Sequence, residues 1–199
     1  IEGRVKMGII PTIASSILPL IMKYLVEKYP FLNLEIHEVT TNQLVKDLRE
    51  GKLDVGILST PIAATDLETE LLYVEDLRLY GHLAAGGKKM SKAALSQQRI
   101  FLLQEGHCLR DQIIQLCDLK KNKSLPSNLS VESNTFDTLL NLVDTFQGMT
   151  LLPALYVSQL NEERKQHLLA LEDGTLSREV SICYYRPYAK WNIIRRLQT

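Results

Sequence analysis

Two of the chain's three cysteines, Cys108 and Cys117, lie nine positions apart in LLQEGHCLRDQIIQLC, residues 102–117, with His107 directly before the first. Gly106 breaks the preceding segment. Leu109, Ile113, Leu116 and Cys117 then recur at i, i+4, i+7 and i+8, which predicts a helix. Cys108 falls in its first turn, where unpaired N–H groups and the positive end of the helix dipole favour an anion. Arg110 and His107 act in the same direction. Such surroundings turn a thiol into a reactive thiolate. Cys117 lies on the apolar stripe and is expected to be buried.

Nine residues at about 100° each put the two side chains on opposite faces of a continuous helix, roughly 14 Å apart along its axis. A disulfide needs Cα atoms about 4.4–6.8 Å apart. If the helix forms, the pair cannot bridge without unfolding it, and a bond that remodels its own element is a redox switch. The bland reading stands beside this one: cysteines in a cytosolic domain are commonly unconnected small hydrophobes.

The elements that position this stretch follow the α/β rhythm. Residues 5–10 fit a buried strand ended by Pro11-Thr12. Ser15 or Ser16 is placed to cap a helix carrying Leu18, Ile21, Met22 and Leu25, which ends near Tyr29-Pro30. Residues 34–39 alternate as a half-exposed strand, 43–49 read as a helix stopped by Gly51, and 53–58 as a third strand. This order implies right-handed crossovers and a parallel sheet. Residues 71–79 give another strand and 80–87 leave the alternation, so the chain is expected to enter a second lobe near residues 73–77. Residues 86–89 read as a loop, 91–95 as a short helix, 100–103 as a strand, and 118–130 as a loop able to remodel. Beyond lie a strand at 129–132, a helix at 136–146 with Leu139, Leu140, Val143 and Phe146 inward, strands at 168–171 and 179–185, and a helix at 191–197.

Composition narrows the class. A chain of 199 residues, 45% hydrophobic and 23% charged, is ordinary for a globular protein and long enough for two small α/β lobes. Basic and acidic residues balance at 23 each, leaving no global electrostatic footprint for nucleic acid. No apolar run approaches a membrane span, and no signal-peptide pattern opens the chain. Three cysteines, an odd number, argue against a secreted disulfide framework and for a reducing, cytoplasmic setting. No His/Cys cluster has zinc spacing and no glycine-rich phosphate loop occurs, so neither metal nor cofactor is expected. Ile1-Glu2-Gly3-Arg4 matches a protease-tag site and is set aside from the fold.

GHCLRDQ followed by a second cysteine at this distance resembles the peroxide-sensing regulators of the OxyR family, within the LysR-type transcription factors. The IIPT opening, PFLNLEIHEVTTNQLVKDL, EGKLDVGIL and the GMTLLP turn at 148–153 resemble the same family. The resemblance covers nearly the whole chain after Arg4. It implies two Rossmann-like lobes as in periplasmic binding proteins, residues 5–75 with 179–199 and residues 76–178, and a cleft at strand C-terminal ends. No helix-turn-helix pattern precedes the first strand, so the chain is expected to be the regulatory half of a transcription activator, not an enzyme.

The resemblance also assigns roles. Cys108 becomes the peroxidatic thiol and Cys117 the resolving thiol, which condenses with the sulfenic acid. Thr12 and Thr41 would line a peroxide cleft with hydroxyls that both donate and accept, although strand-end threonines commonly cap helices instead. His107 would polarise the site or bond peroxide, or be only a surface polar residue. Asp111 would join the cleft or serve as a helix-start acid. Arg178 would support the thiolate, with Arg186 as the alternative because Tyr184-Tyr185 blurs the register. Cys183 reads as a core residue. The implied partners are hydrogen peroxide, a second copy in a homodimer (a tetramer in the full-length protein), a glutaredoxin- or thioredoxin-like reductant, and, through the full-length protein, DNA and RNA polymerase. Two rivals remain. One is a LysR-type domain sensing a small organic metabolite with incidental cysteines. The other, a thiol peroxidase, lacks a CxxC pair and a thioredoxin-like order of elements.

Overall fold

The computed structural model describes residues 2–83, 87–104, 106–117 and 133–185. Expectations for residues 118–130, 129–132, 191–197, Gly86 and Arg186 lie outside them. The chain divides into two units, residues 1–74 with 179–199 and Glu75–Arg178.

In the first unit β1 (Glu2–Ile9), α1 (Pro11–Lys28), β2 (Phe31–Glu38), α2 (Thr41–Arg49) and β3 (Val55–Thr60) alternate strand and helix, joined by β8 (Leu176–Tyr185). β1 runs parallel to β2, from Glu2↔Phe31 to Ile9↔Glu38, and parallel to β3. β8 returns antiparallel to β3, with Gly56 opposite Cys183. Val5, Ile9, Leu44, Leu48, Val55 and Leu58 fill the core. A side chain at Gly56 would meet Leu44 Cδ2 at 2.5 Å and Cys183 Sγ at 2.9 Å, so the sheet seats Cys183 where its neighbour has none.

Two expectations fail here. Residues 2–4, set aside as a tag, are part of β1, because β2 offers them an extended partner and Glu35 accepts from Arg4 Nε at 2.6 Å. Neither Ser15 nor Ser16 caps α1: the helix starts at Pro11, whose fixed φ and missing N–H suit a first position.

The second unit holds β5 (Lys89–Met90), α3 (Lys92–Leu95), α4 (Cys108–Leu116), α5 (Phe136–Phe146), β6 (Met149–Pro153), α6 (Ala154–Ser158), α7 (Glu162–Lys165) and β7 (Leu168–Leu171). β4 (Leu67–Gly81) and β8 each run from one unit into the other. The end of β4 pairs antiparallel with β6 and β7, and β5 lies parallel to β7. GMTLLP, expected as a turn, is therefore mostly strand: five buried residues pair with residues 77–81 of β4. Gly81 and Gly148 permit that approach, since a Cβ at Gly81 would sit 2.4 Å from the Gly148 carbonyl oxygen. The expected strand at 100–103 shrinks to a single bridge, Ile100 to Met149, although Phe101 N–H still bonds the Met149 carbonyl at 2.8 Å. β4 also continues through Tyr80 to Gly81, and Lys89 leaves the predicted loop for β5.

Among the described residues no helix is long and apolar enough to cross a membrane, and no group of His, Cys, Asp or Glu is placed to hold a metal ion.

Candidate functional site

The site is built on the start of α4. The segment before it is fastened on both sides: Gln104 N–H donates to the Ser133 carbonyl at 2.8 Å, and Arg110 NH1 donates to the Leu103 carbonyl at 3.0 Å. These bonds hold His107 at the N-cap and Cys108 as the first helical residue, half-buried. Leu109 and Ile113 anchor the helix in the core, while Leu116, expected on the same stripe, is 40% exposed.

His107 is no surface residue. It is only 3% exposed, and Nε2 lies 3.4 Å from Asn134 Oδ1. Its Nδ1 is buried and has no partner among the described residues, and the ring gives α4 no cap bond. Asp111 is exposed in the first turn, where its charge suits the helix dipole.

Cys117 stands at the other end of α4 as its C-cap, buried, with its N–H bonded to the Ile113 carbonyl. Burial pushes its thiol up to about 11, with Lys92 opposing weakly. Cys183 is pushed up to about 12, again mainly by burial. All three cysteines are free, and the intact helix between Cys108 and Cys117 keeps that pair apart. Only Cys108 combines access with a helix start.

Arg178 is buried and held by Glu75: Nε and NH2 donate to Glu75 Oε2 at 2.9 and 2.7 Å. The other oxygen of Glu75 accepts the Leu155 N–H at 3.0 Å, at the start of α6. Burying this pair is sustainable because both carboxylate oxygens are bonded. In the first unit Thr12 and Thr41 begin α1 and α2, directly after the adjacent parallel strands β1 and β2. Thr40, not Thr41, caps α2, so the Thr41 hydroxyl is buried without a partner among the described residues. The first unit thus brings the two threonines to one edge of its sheet. The second gathers His107, Cys108 and Asp111 in one turn and keeps Arg178 with Glu75.

Sequence reading missed Asn134, Glu75 and Thr40. Thr40-Thr41 carried a cap signal that could have been split correctly. The pairings of Asn134 with His107 and of Glu75 with Arg178 join residues 27 and 103 positions apart and left no local trace.

Comparison with known proteins gives these features a setting. A probable hydrogen peroxide-inducible genes activator of Mycobacterium leprae is 33% identical over 156 residues, 77% of this chain and 50% of the relative. The OxyR mutant structure from Porphyromonas gingivalis superposes with a TM-score of 0.86 at 25% identity, over 98% of this chain and 90% of that one. A cysteine-to-serine mutant of Corynebacterium glutamicum OxyR, solved with hydrogen peroxide bound, is 28% identical with a TM-score of 0.84, over 99% of this chain and 63% of that one. The chain spans about half the length of the curated relatives it matches, which are transcriptional regulators. The LysR substrate binding domain model matches residues 1–190. The mixed α/β, periplasmic-binding-protein-like chain therefore belongs to the LysR substrate binding domain family.

Proposed function

We propose that the chain is the peroxide-sensing regulatory part of a cytoplasmic transcription activator, switched by a reversible Cys108–Cys117 disulfide. One observation carries the reading: an accessible thiol at a helix start, preceded in the chain by a histidine whose buried Nδ1 has no partner among the described residues, and a second thiol buried at the far end of the same helix. The relatives named for hydrogen peroxide-inducible genes support it. Cys108 reacts first. Peroxide transfers oxygen to its sulfur, giving the sulfenic acid and water. Cys117 then displaces the hydroxyl, forming the disulfide and a second water. The nine-residue helix must open for this step, so the oxidised form carries a different local structure.

Thr12, Thr41, His107 and Asp111 are the residues proposed to hold peroxide, and Arg178 acts through its ion pair as a support of the surrounding backbone. The exposed Leu20, Tyr24 and Val26 of α1 and Phe31 of the edge strand β2 suit contact with a second copy in a homodimer. Remodelling of α4 is transmitted through such an assembly to DNA-binding domains, and through them to RNA polymerase. A glutaredoxin- or thioredoxin-like protein resets the bond.

Free thiols counted before and after stoichiometric peroxide test the reading. Loss of two thiols, mapped to Cys108 and Cys117 with Cys183 retained, is the expected result. A second reading, a sensor of a small organic metabolite, is favoured by the unfilled Thr41 hydroxyl, which needs no thiol chemistry. Unchanged thiols would leave that reading in place.

A further inference from the structure

We propose that Asn134 is a positioning residue for the peroxide chemistry of Cys108, holding His107 in the tautomer whose Nδ1 is bare; this rests on the function proposed above. A neutral imidazole has one proton shared between two nitrogens, and the hydrogen bond of one decides the state of the other. The oxygen of the Asn134 amide faces Nε2 at 3.4 Å. An amide oxygen only accepts, so Nε2 must carry the proton to bond it, and in the neutral ring Nδ1 is left as an acceptor. It is buried and has no partner among the described residues. Reversing the amide would put its NH2 on Nε2 and strand a buried Nδ1–H, the rarer and costlier kind of orphan.

The surroundings are arranged for this. An N-cap side chain ordinarily accepts from an N–H of the first turn. His107 occupies the N-cap and makes no such bond, so its lone pair is not spent on the helix. The Gln104 to Ser133 bond sets residue 134 alongside the approach to α4, which is what lets Asn134 reach the ring.

A bare nitrogen in the residue next to Cys108 has a use. In Cys108–SH + H2O2 → Cys108–SOH + H2O, an S–O bond forms as the O–O bond breaks. Sulfur gives up two electrons and peroxide takes them. The thiol proton must leave sulfur, and the departing hydroxide must gain a proton. Nδ1 can accept the first and return it to the second; a ring whose Nδ1 already carries the proton has no lone pair there to accept the first.

The test uses the Cys117→Ser background, in which oxidation stops at the sulfenic acid. Nitrogen-15 NMR reads the His107 tautomer without peroxide, and trapping of the sulfenic acid gives the oxidation rate across pH. The expected result is an Nε2–H tautomer, lost in Asn134→Leu together with at least about a tenfold fall in rate. Asn134→Asp keeps an acceptor oxygen but favours the imidazolium by its charge. It should recover rate with the pH profile displaced upward, which a merely structural role would not produce. An Nδ1–H tautomer in the parent, or a wild-type rate and pH profile in Asn134→Leu, overturns the proposal. A Cys108 inert to peroxide in the unmodified chain overturns the sensing function itself, and the peroxide-free tautomer measurement tells the two failures apart.

Discussion

The helices α4 and α5 belong to the same unit and are built of similar lengths of chain, yet they are fastened very differently. α5 buries Phe136, Leu139, Leu140 and Val143, and the Thr135 hydroxyl accepts the Thr138 N–H at its start. Its last turn is tied to β4, because Asp144 accepts from the Tyr80 hydroxyl at 2.7 Å and lies 3.2 Å from His82. Gln147 closes it in the left-handed conformation. α4 buries only Leu109 and Ile113 within its nine residues, has no side-chain cap, and carries no basic residue in its last turn. Full burial of a Leu or Ile contributes about 1.5–3 kcal/mol, so α5 is held by several kcal/mol more than α4. The difference separates a scaffold from a segment able to open. Of the two, α4, with Cys108 and Cys117 at its ends, costs less to melt.

The largest expected effect tests the scaffold. Leu140→Ala removes a fully buried side chain and should cost about 2–5 kcal/mol of global stability, read in denaturant unfolding. Amide exchange gives the matching measurement on the other side. The α4 amides should exchange through local opening, well before those of Leu140 and Val143. Equal protection in the two helices would remove the basis of the comparison.

The next effect is a pH dependence. The thiols of Cys117 and Cys183 are raised by burial, from an ordinary value of 9.0 to about 11 and about 12. Both therefore favour the folded state in the neutral thiol form. That contribution is whole below pH 9 and is lost as pH rises toward 11 for Cys117 and 12 for Cys183. Cys117→Ala should flatten the first part of this alkaline loss. Alkylation at neutral pH should mark Cys108 and spare the other two until the protein unfolds. A smaller effect comes from Thr135→Ala, about 1 kcal/mol through the lost cap. It should lower the unfolding midpoint without changing Cys108 oxidation.

The contrast between the two helices was half legible in the sequence. Leu139, Leu140, Val143 and Phe146 recur at helical spacing, and α5 formed over the predicted residues. α4 also formed, and with it the placement of Cys108 at a helix start and Cys117 in the core. What was not legible is tertiary. Gly148 and Pro153 punctuate GMTLLP like a turn, and only the edge of β4 makes it a strand. The short α6 and α7 have too few residues for a period to show. His107 looked like a polar residue beside a loop until the fold brought Asn134 to it. Glu75 and Arg178 are ordinary charges in sequence and become a buried pair only because β4 and β8 run together.

The smallest effect asks whether the stability of α4 itself sets the redox balance. Gln115 is exposed in the last turn of α4, four residues after the exposed Asp111. Gln115→Lys puts a cation where the helix dipole is negative, and completes an acid-to-base i,i+4 pair in the favourable order. The gain should be about 0.3–1 kcal/mol for the helical, reduced form. The proposed oxidised form, in which these turns would have opened, would receive none of it. The disulfide is thereby destabilised relative to the dithiol, and its reduction potential should rise by roughly 5–20 mV, since about 30 mV corresponds to 1.4 kcal/mol. Equilibration against a thiol redox buffer resolves a shift of this size. Asp111→Asn combined with Gln115→Lys separates the pair from the dipole and should retain most of the shift. A potential that does not move while α4 becomes more protected from exchange would mean that disulfide formation does not require this helix to open.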